Sequence, residues 1–355
     1  MCQLVAYIGD RPIAPLLLKA MELQEPYLGG HATGMAVLDN GRLVVEKGPG
    51  HVAKAKRTTG ITRLEGTTGI GHSRHSSLAE SDPRFDTAAM AHPITNDDGT
   101  IALMHNGNIF NYKEHWARLR EGHIFKSHNP DVDAITDSEV AVHLVSDAVA
   151  EGGSFEEALK EVMPKLQGQV LLCLISEDEP ETVYVANRHQ PCYVGVGDDE
   201  VMWCSSRVGF EPIEGELKRV YQPPKNSLLK LTRGKAETQL LEPGWKVPDL
   251  KMDKPLLKEF IMKIVSVGEI DFVNLRGALN YNCWAKVLDI PQDEWTRMRR
   301  GGVDIVNPLI ETLDELIEEG KIRQRIDPRL EGGTLDTPRF AYSLRLIPFN
   351  KGLYF

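Results

Sequence analysis

Short apolar stretches separated by turn residues predict a fold built largely of β-strands. The chain opens with an apolar strand from Cys2 to Ile8, which Gly9 and Asp10 end. The unbroken apolar run at 170–175 predicts a strand that is buried on both faces. Further strands are predicted at 34–38, 42–47, 68–72, 100–104, 182–187, 191–196, 201–205, 226–232 and 237–241. The predicted strands therefore all lie in the first two-thirds of the chain, apart from two short ones near the C-terminus.

Two helix starts stand between these groups of strands. Thr136 is followed by Glu139 three residues later, and Ser154 by Glu157, which are the residue pairs of a capping box. The order of strands, a helix pair and strands again predicts an α+β fold with sheets in the middle and helices outside.

The composition changes near residues 242–245, and predicted helices dominate beyond this point. We predict a first domain at 2–245 and a smaller, mostly helical, winged-helix-like module at 246–355, called the C-terminal module below. Winged-helix folds often bind DNA, but residues 251–355 contain 16 Lys and Arg against 16 Asp and Glu. A DNA-binding module should be basic. We therefore expect this module to dock onto a partner subunit or to self-associate.

The composition excludes several classes of protein. The formal net charge of -10 argues against binding to nucleic acid or to an anionic membrane. No run of about 18 apolar residues and no secretory signal is evident, so we expect a cytoplasmic protein. The five cysteines lack metal-binding spacing, and no phosphate-binding loop for ATP is present. We predict neither a metal ion nor a cofactor.

Cys2 is the first candidate for chemistry. Hydrolysis of an amide near neutral pH needs a nucleophile and a base, and an N-terminal cysteine offers a thiol and an α-amine in one residue. A free α-amine has a pKa of about 7.7–8.0. This use requires removal of Met1, which a small residue at position 2 permits. Taken alone, however, a cysteine in an apolar first strand is more often a core residue.

Three positions farther along favour catalysis. Arg74, after a predicted strand, suits a bidentate bond to a carboxylate. Asn106 followed by Gly107 offers a side-chain amide and an accessible backbone N–H, the donors of an oxyanion hole. Asp137, in the first turn of a predicted helix, can bind an ammonium group. Each residue has an ordinary structural interpretation, but Arg74 and Asp137 together suit a free amino acid.

With these residues in place, the sequence resembles the class II glutamine amidotransferases, whose catalytic residue is an N-terminal cysteine. It is similar to the glutaminase domains of glutamate synthase and glucosamine-6-phosphate synthase over about residues 2–240. The segments that carry the resemblance are 2–9, 71–74, 91–93, 105–107, 111–112 and 136–139. The resemblance implies a four-layer αββα sandwich of the N-terminal-nucleophile hydrolase type.

The resemblance also implies residue roles. Cys2 would be the nucleophile and its α-amine the base, while Asn106 and Gly107 would hold the oxyanion. Arg74 would bind the α-carboxylate of glutamine and Asp137 its α-amine. The remaining positions predicted to line the substrate pocket are His75, Ser77 and His92.

Two departures from the family pattern stand out. Gln3 follows the nucleophile where the family has glycine, and residues 28–31 read Leu-Gly-Gly-His where the family commonly has Arg-Gly. His31 is a possible substitute for that arginine.

We expect a glutaminase that releases ammonia to a synthase on another polypeptide, because about 110 residues beyond the domain are too few for the acceptor domains of the family. A hydrolase of another small amide and a non-catalytic regulatory subunit remain as alternatives. Either a hetero-oligomer or a homo-oligomer is consistent with these expectations.

Overall fold

The computed structural model describes residues 2–76, 82–248, 250–303, 305–327 and 337–345. The strands of this part of the chain are β1 (Gln3–Ile8), β2 (Ala32–Asp39), β3 (Arg42–Pro49), β4 (Thr68–Arg74), β5 (Ile94–Thr95), β6 (Ile101–Ile109), β7 (Gly168–Ser176), β8 (Val183–Asn187), β9 (Tyr193–Val196), β10 (Val201–Cys204), β11 (Arg219–Tyr221), β12 (Ser227–Thr232), β13 (Lys235–Leu240), β14 (Ile270–Asp271), β15 (Ile322–Asp327) and β16 (Arg339–Leu344). Its helices are α1 (Ile13–Gln24), α2 (Val52–Thr58), α3 (Tyr112–Leu119), α4 (Asp137–Ala150), α5 (Phe155–Val162), α6 (Lys254–Val267), α7 (Phe272–Ala278), α8 (Tyr281–Leu288), α9 (Gln292–Arg300) and α10 (Val306–Glu318).

Two antiparallel sheets form the middle of the molecule. The first has seven strands in the order β11-β9-β10-β1-β4-β2-β3, and the second has six in the order β13-β12-β8-β7-β6-β5. A separate three-stranded sheet, β14-β16-β15, belongs to the C-terminal module. The strands with the most apolar sequences, β1 and β7, lie inside their sheets, where both faces are covered.

Strand β1 shows how the layers are held together. Its residues Leu4, Ala6 and Ile8 point into the core between the two sheets. Val5 and Tyr7 point the other way, into the core beneath α1 and α2. Successive residues of a strand face opposite sides of the sheet, so a strand covered on both sides must be apolar throughout. This burial explains why its sequence does not alternate.

Helices cover the outer face of each sheet. Helices α1 and α2 pack on the seven-stranded sheet, and α4 and α5 pack on the six-stranded sheet. The layers therefore run helix, sheet, sheet, helix, and the predicted α+β sandwich is confirmed. None of the described helices combines the length and the apolar composition needed to cross a bilayer.

Local details differ from the sequence prediction in two places. Strand β6 continues to Ile109, so Asn106 and Gly107 lie within a strand instead of after it. The capping box at Thr136 is wrong: the helix begins there, but the Thr136 side chain makes no capping hydrogen bond. The carboxylate of Glu139 instead accepts the backbone N–H groups of Lys126 and Ser127, because this buried turn needs an acceptor.

The capping box at Ser154 and Glu157 is confirmed, with both reciprocal hydrogen bonds present. It stands at an exposed helix start, where no tertiary contact competes for the two side chains. Helix α2, which the sequence prediction missed, has only seven residues and just two buried side chains, Val52 and Ala55. Such a short helix leaves almost no periodic signal.

The C-terminal module packs its helices and the three-stranded sheet around one core. Tyr27 and Leu28, from the loop after α1, also belong to this core. Strand β16 reaches the same loop, since the N–H of Phe340 donates to the carbonyl of Pro26 at 3.0 Å. The module is therefore anchored on the loop that follows α1.

Candidate active site

Cys2 and Asn106 connect the two sheets at one end of the sandwich. Cys2 stands immediately before β1, which lies between β10 and β4 in the seven-stranded sheet. Its backbone nitrogen donates to Oδ1 of Asn106, 3.1 Å away on β6 of the other sheet. Residues 104 positions apart in sequence are therefore in direct contact.

The thiol of Cys2 is held by the backbone of His75. The N–H of His75 donates to Sγ at 3.3 Å, and Sγ lies 3.6 Å from the carbonyl oxygen of the same residue. A donor directed at sulfur stabilises a thiolate. Cys2 also lines an open cavity, whereas burial raises the pKa of the thiols of Cys173, Cys192 and Cys204. Cys2 thus differs from the buried core cysteines in its access to substrate.

The side-chain amide of Asn106 has an unpaired hydrogen-bond donor. Its Oδ1 is occupied by Cys2, but its Nδ2 is fully buried and has no hydrogen-bond partner among the described residues. An unsatisfied buried amide costs about 1–3 kcal/mol, so its presence calls for an explanation. A substrate oxygen that arrives beside Cys2 would supply the missing acceptor.

Gly107 has a backbone conformation that requires glycine. Its φ of +138° lies in the region that L side chains rarely adopt, and a Cβ there would collide with the carbonyl oxygen of Gln169. Gly107 lines the cavity next to Cys2. The sequence-predicted pair therefore lies at Cys2, with Asn106 bonded to the Cys2 nitrogen and Gly107 on the wall of the cavity that Cys2 also lines.

Arg74 is the last residue of β4 and lies almost entirely below the surface. Its Nη1 donates to the carbonyl of Phe85 at 3.0 Å, which fixes the guanidinium at the cavity wall. Burial lowers its pKa, while the nearby Cys2 and Asp137 act in the opposite direction. Arginine remains charged under such conditions. The side chain makes this one hydrogen bond within the described residues, so other N–H groups are available for a carboxylate.

Asp137 is the first residue of α4 and faces the same cavity. Its Oδ2 accepts a hydrogen bond from the N–H of Ile109 at 2.7 Å. Its Oδ1 accepts one from the hydroxyl of Ser138 at 3.2 Å and lies 3.8 Å from Nδ1 of His105. Burial alone would raise the pKa of Asp137, but His105 and these hydrogen bonds hold it below its usual value. The carboxylate is therefore ionised and suited to an ammonium group.

His92 and His75 also line the cavity. Nε2 of His92 lies 2.7 Å from the Ser138 hydroxyl, and its ring stacks on that of His72 at 4.4 Å. Burial lowers the pKa of both His92 and His75, so both rings are neutral at pH 7. The third predicted pocket residue, Ser77, lies outside the described residues.

The cavity that these residues share has a volume of about 330 Å³. This is at the small end of the range for ligand sites, which suits a metabolite of amino-acid size. The sequence reasoning missed several of its lining residues, namely Phe85, Met90, Tyr112, Ile135 and Ser138. Most of them come from irregular segments whose apolar residues show no periodicity, so only tertiary contacts could reveal them.

Arg276 was also missed, and among the described residues it alone lines the cavity from the C-terminal module. It lies on α7 and is partly exposed. Nothing in its local sequence separates it from any other helical arginine. It adds a second guanidinium to the cavity wall besides that of Arg74, so the cavity is suited to an anionic group.

The loop after α1 is supported by the C-terminal module. Arg339, on β16, is buried and donates to the carbonyl oxygens of Glu25 and Gly29 at 3.2 and 2.9 Å. Leu28 is fully buried in the C-terminal core, which gives a packing reason for an apolar residue there. His31 accepts the backbone N–H of Ser76 at 3.1 Å through Nδ1. His31 thus contacts the strand end that carries His75.

Gln3, the other departure, is fully buried. Its Oε1 accepts the hydroxyl of Ser206 at 3.0 Å. Ser206 in turn donates its backbone N–H to the side chain of Gln24, on α1. The side chain at position 3 therefore points away from the cavity and ties β1 to the segment after β10.

Several known proteins are similar to this chain. A family profile described as "Glutamine amidotransferase domain" matches residues 75–210. A glutamine–fructose-6-phosphate aminotransferase of Thermococcus kodakarensis is 33% identical over 211 residues, covering 59% of this chain and 33% of the relative. The enzyme of the same name from Chlorobaculum tepidum is 33% identical over 249 residues, covering 68% of this chain and 38% of the relative. This chain belongs to the class II glutamine amidotransferases. The family is one of enzymes, and the sequence prediction of an amidotransferase is confirmed.

The same fold occurs in a solved structure. Glutamine phosphoribosylpyrophosphate amidotransferase from B. subtilis aligns with a TM-score of 0.59 and 16% identity, covering 82% of this chain and 65% of that one. At this identity the likeness shows the fold alone. The chain spans about a third of the length of the aminotransferases that it matches, so they define its glutaminase-like part and leave the acceptor reaction open.

Proposed function

We propose that this chain hydrolyses glutamine to glutamate and ammonia, with Cys2 as the nucleophile. The contact between the Cys2 nitrogen and Asn106 Oδ1 supports this proposal most directly. This contact fixes the Cys2 nitrogen, which becomes the α-amine once Met1 is removed. It also leaves Nδ2 of Asn106 without a hydrogen-bond partner among the described residues. A cysteine that served only in packing would need neither arrangement.

In the proposed reaction, removal of Met1 first frees the α-amine of Cys2. The amine accepts the thiol proton, and the thiolate attacks the side-chain amide carbon of glutamine. Nδ2 of Asn106 and the N–H of Gly107 hold the negative oxygen of the tetrahedral intermediate. The protonated amine then gives its proton to the departing nitrogen, so that ammonia and a glutamyl thioester result. Water, activated by the same amine, hydrolyses the thioester and releases glutamate.

Substrate binding is assigned to the two charged residues on the cavity wall. We propose that Arg74 binds the α-carboxylate and Asp137 the α-amine of glutamine, since each is ionised and has unused hydrogen-bonding capacity. His75, Ser77 and His92 would complete the pocket. With neutral rings, His75 and His92 add shape and hydrogen bonds without a competing charge.

We further propose that ammonia passes to a synthase on a separate polypeptide, with residues 246–355 as a docking module. The named relatives carry about two-thirds of their length outside the region that matches this chain. A hydrolase of another amide is a weaker candidate, because the paired charges of Arg74 and Asp137 suit a free amino acid. A purely regulatory subunit would not need to keep an unsatisfied donor beside Cys2.

The proposal is tested by measuring glutamate and ammonia release by the purified full chain, with and without co-purified partner proteins. Intact-mass measurement should find Met1 absent, and a glutamine-like electrophile should label Cys2. Cys2→Ala should abolish both turnover and labelling, whereas Cys283→Ala, at a half-buried cysteine on α8, should leave both unchanged. Retention of Met1 in an active protein would refute the α-amine mechanism. Absence of turnover under all conditions would favour the regulatory alternative.

A further inference from the structure

Three potential metal ligands meet on the helical side of the six-stranded sheet. Asp97 lies in the turn between β5 and β6, His123 in the loop after α3, and His143 in the middle of α4. One ligand atom from each residue lies within 4.8 Å of the others. None of the three lines the cavity of Cys2.

His143 has no hydrogen-bond partner for either ring nitrogen among the described residues, although it is fully buried. Its ring packs against that of His123 at 4.4 Å, and its Nδ1 faces Oδ1 of Asp97 at 4.0 Å. A buried imidazole with both nitrogens unsatisfied is costly. A ligand that fills the space between His143 and Asp97 would satisfy Nδ1 and so lower this cost.

His123 and Asp97 already share a position that a cation can take. Nδ1 of His123 lies 2.7 Å from Oδ2 of Asp97, so in the absence of metal a proton bridges them. The other ring nitrogen lies 3.1 Å from Asp147, one helical turn after His143. Ligands of a zinc ion lie about 2.0–2.2 Å from the metal. Two ligand atoms at this distance from a tetrahedral ion are about 3.4 Å apart. The separations of 2.7 and 4.0 Å between the ligand atoms therefore need to change by less than about 1 Å.

We propose that Asp97, His123 and His143 form a binding site for a divalent transition-metal ion of the Zn²⁺ type. Two imidazoles and one carboxylate are donors that such ions prefer over Ca²⁺ or Mg²⁺, which favour oxygen ligands. Asp147 is available as an additional carboxylate. This site is independent of the glutaminase proposal, since no step of that reaction uses it.

The metal would act on structure. His143 lies six residues after Asp137 on α4, a distance of about 9 Å along the helix. The loop that carries His123 continues into Lys126 and Ser127, whose N–H groups bind Glu139 on the same helix. A metal at this site therefore fixes the loop against α4, whose first residue is Asp137.

The experiment uses the full chain, stripped with a chelator and titrated with Zn²⁺ and with Co²⁺. We expect one equivalent of Zn²⁺ to bind and to raise the melting temperature. Co²⁺ should give visible d–d absorption without the near-ultraviolet band of a thiolate ligand, which excludes binding at the five cysteines. Equimolar Zn²⁺ should displace the Co²⁺ spectrum. Because these measurements use the unaltered chain, they do not depend on whether a variant folds.

Variants then locate the site. His143→Ala and Asp97→Asn should weaken Zn²⁺ binding at least 100-fold and abolish the rise in melting temperature. His128→Ala is the matched control, because His128 and Asp133 form an exposed histidine–carboxylate pair at 3.2 Å outside the cluster. The proposal is overturned if the unaltered chain binds no stoichiometric Zn²⁺, or if the His128 variant loses binding as strongly as the other two.

Discussion

The Asn106 side chain accepts a hydrogen bond from the Cys2 nitrogen and is also the proposed oxyanion donor. Replacing Asn106 with Asp separates these two roles. Asp keeps the size of Asn and an oxygen that can accept the hydrogen bond from the Cys2 nitrogen at 3.1 Å. It replaces the unsatisfied Nδ2, the proposed oxyanion donor, with a second oxygen that cannot donate. Only the contact made in the transition state is lost, because the ground state leaves Nδ2 unpaired.

The magnitude follows from this difference. Loss of one oxyanion donor costs about 2.7–4 kcal/mol, so kcat for glutamine hydrolysis should fall by about 10²–10³-fold. KM should change little, because Arg74 and Asp137 are untouched. The new carboxylate also faces the α-amine of Cys2, so the amine pKa should rise. The acidic limb of the pH–rate profile, where the amine loses its proton, should therefore move to higher pH.

The assay is steady-state glutamate release over a range of pH. Asn187→Ala serves as a control, because Asn187 is about equally buried and its side chain bonds, within the described part of the chain, only to Gln190 and Cys192. It should lower the free energy of unfolding without lowering kcat. The oxyanion assignment would be refuted by a kcat of the Asn106 variant within tenfold of the unaltered chain, or by an equal loss in the Asn187 variant.

Three further predictions concern other parts of the molecule. Arg276→Gln should raise the KM for glutamine with kcat nearly unchanged, because Arg276 lines the cavity. The control Arg300→Gln, on exposed α9, should change neither constant. If the two variants have the same KM and kcat, Arg276 does not contribute to the substrate pocket. Burial raises the pKa of Glu25 to about 7, so the folded state binds the proton of this carboxyl more tightly than the unfolded state does. The free energy of unfolding should therefore fall by up to about 3 kcal/mol as the pH rises from 4.5 to about 7. Urea unfolding should show this fall flattened in Glu25→Gln, and an unchanged slope would contradict the assignment. Arg188→Met should cost about 3–5 kcal/mol by leaving Glu242 as an unpaired buried charge. Adding Glu242→Leu should restore only part of it, because the carbonyls of Leu166 and Met163 still lack the donor that Arg188 supplied. No restoration by the second change would show that the ion pair at 2.6 Å is not the cause.

Much of the fold could be predicted because its signals are local. Apolar β1 and β7, and the helix started by Ser154 and Glu157, are set by residues close together in sequence. The failure at Thr136 and Glu139 has a tertiary cause. Glu139 has the right spacing for a capping box, but the buried N–H groups of Lys126 and Ser127 compete for it successfully.

The candidate site divides in the same way. The residue types at Cys2, Arg74, Asn106 and Asp137 suit the chemistry of an amino-acid amide, so sequence alone could propose them together. The contacts that distant segments make with the site could not be predicted from the sequence in this way. Arg276 enters the cavity, and Arg339 reaches the loop after α1 from 310 residues away, only because the C-terminal module packs there.

The sequence by itself therefore predicted an α+β fold with sheets in the middle, and it allowed Cys2 and the charged residues of the candidate site to be proposed, because periodicity and residue chemistry are properties of single segments. Only the tertiary structure decided which atom of Asn106 is engaged, which cavity the charges share and where Leu28 packs. It also brought Asp97, His123 and His143 together from two loops and a helix. Such contacts depend on how the layers of the fold pack against each other, and the spacing of residues along the chain does not encode that packing.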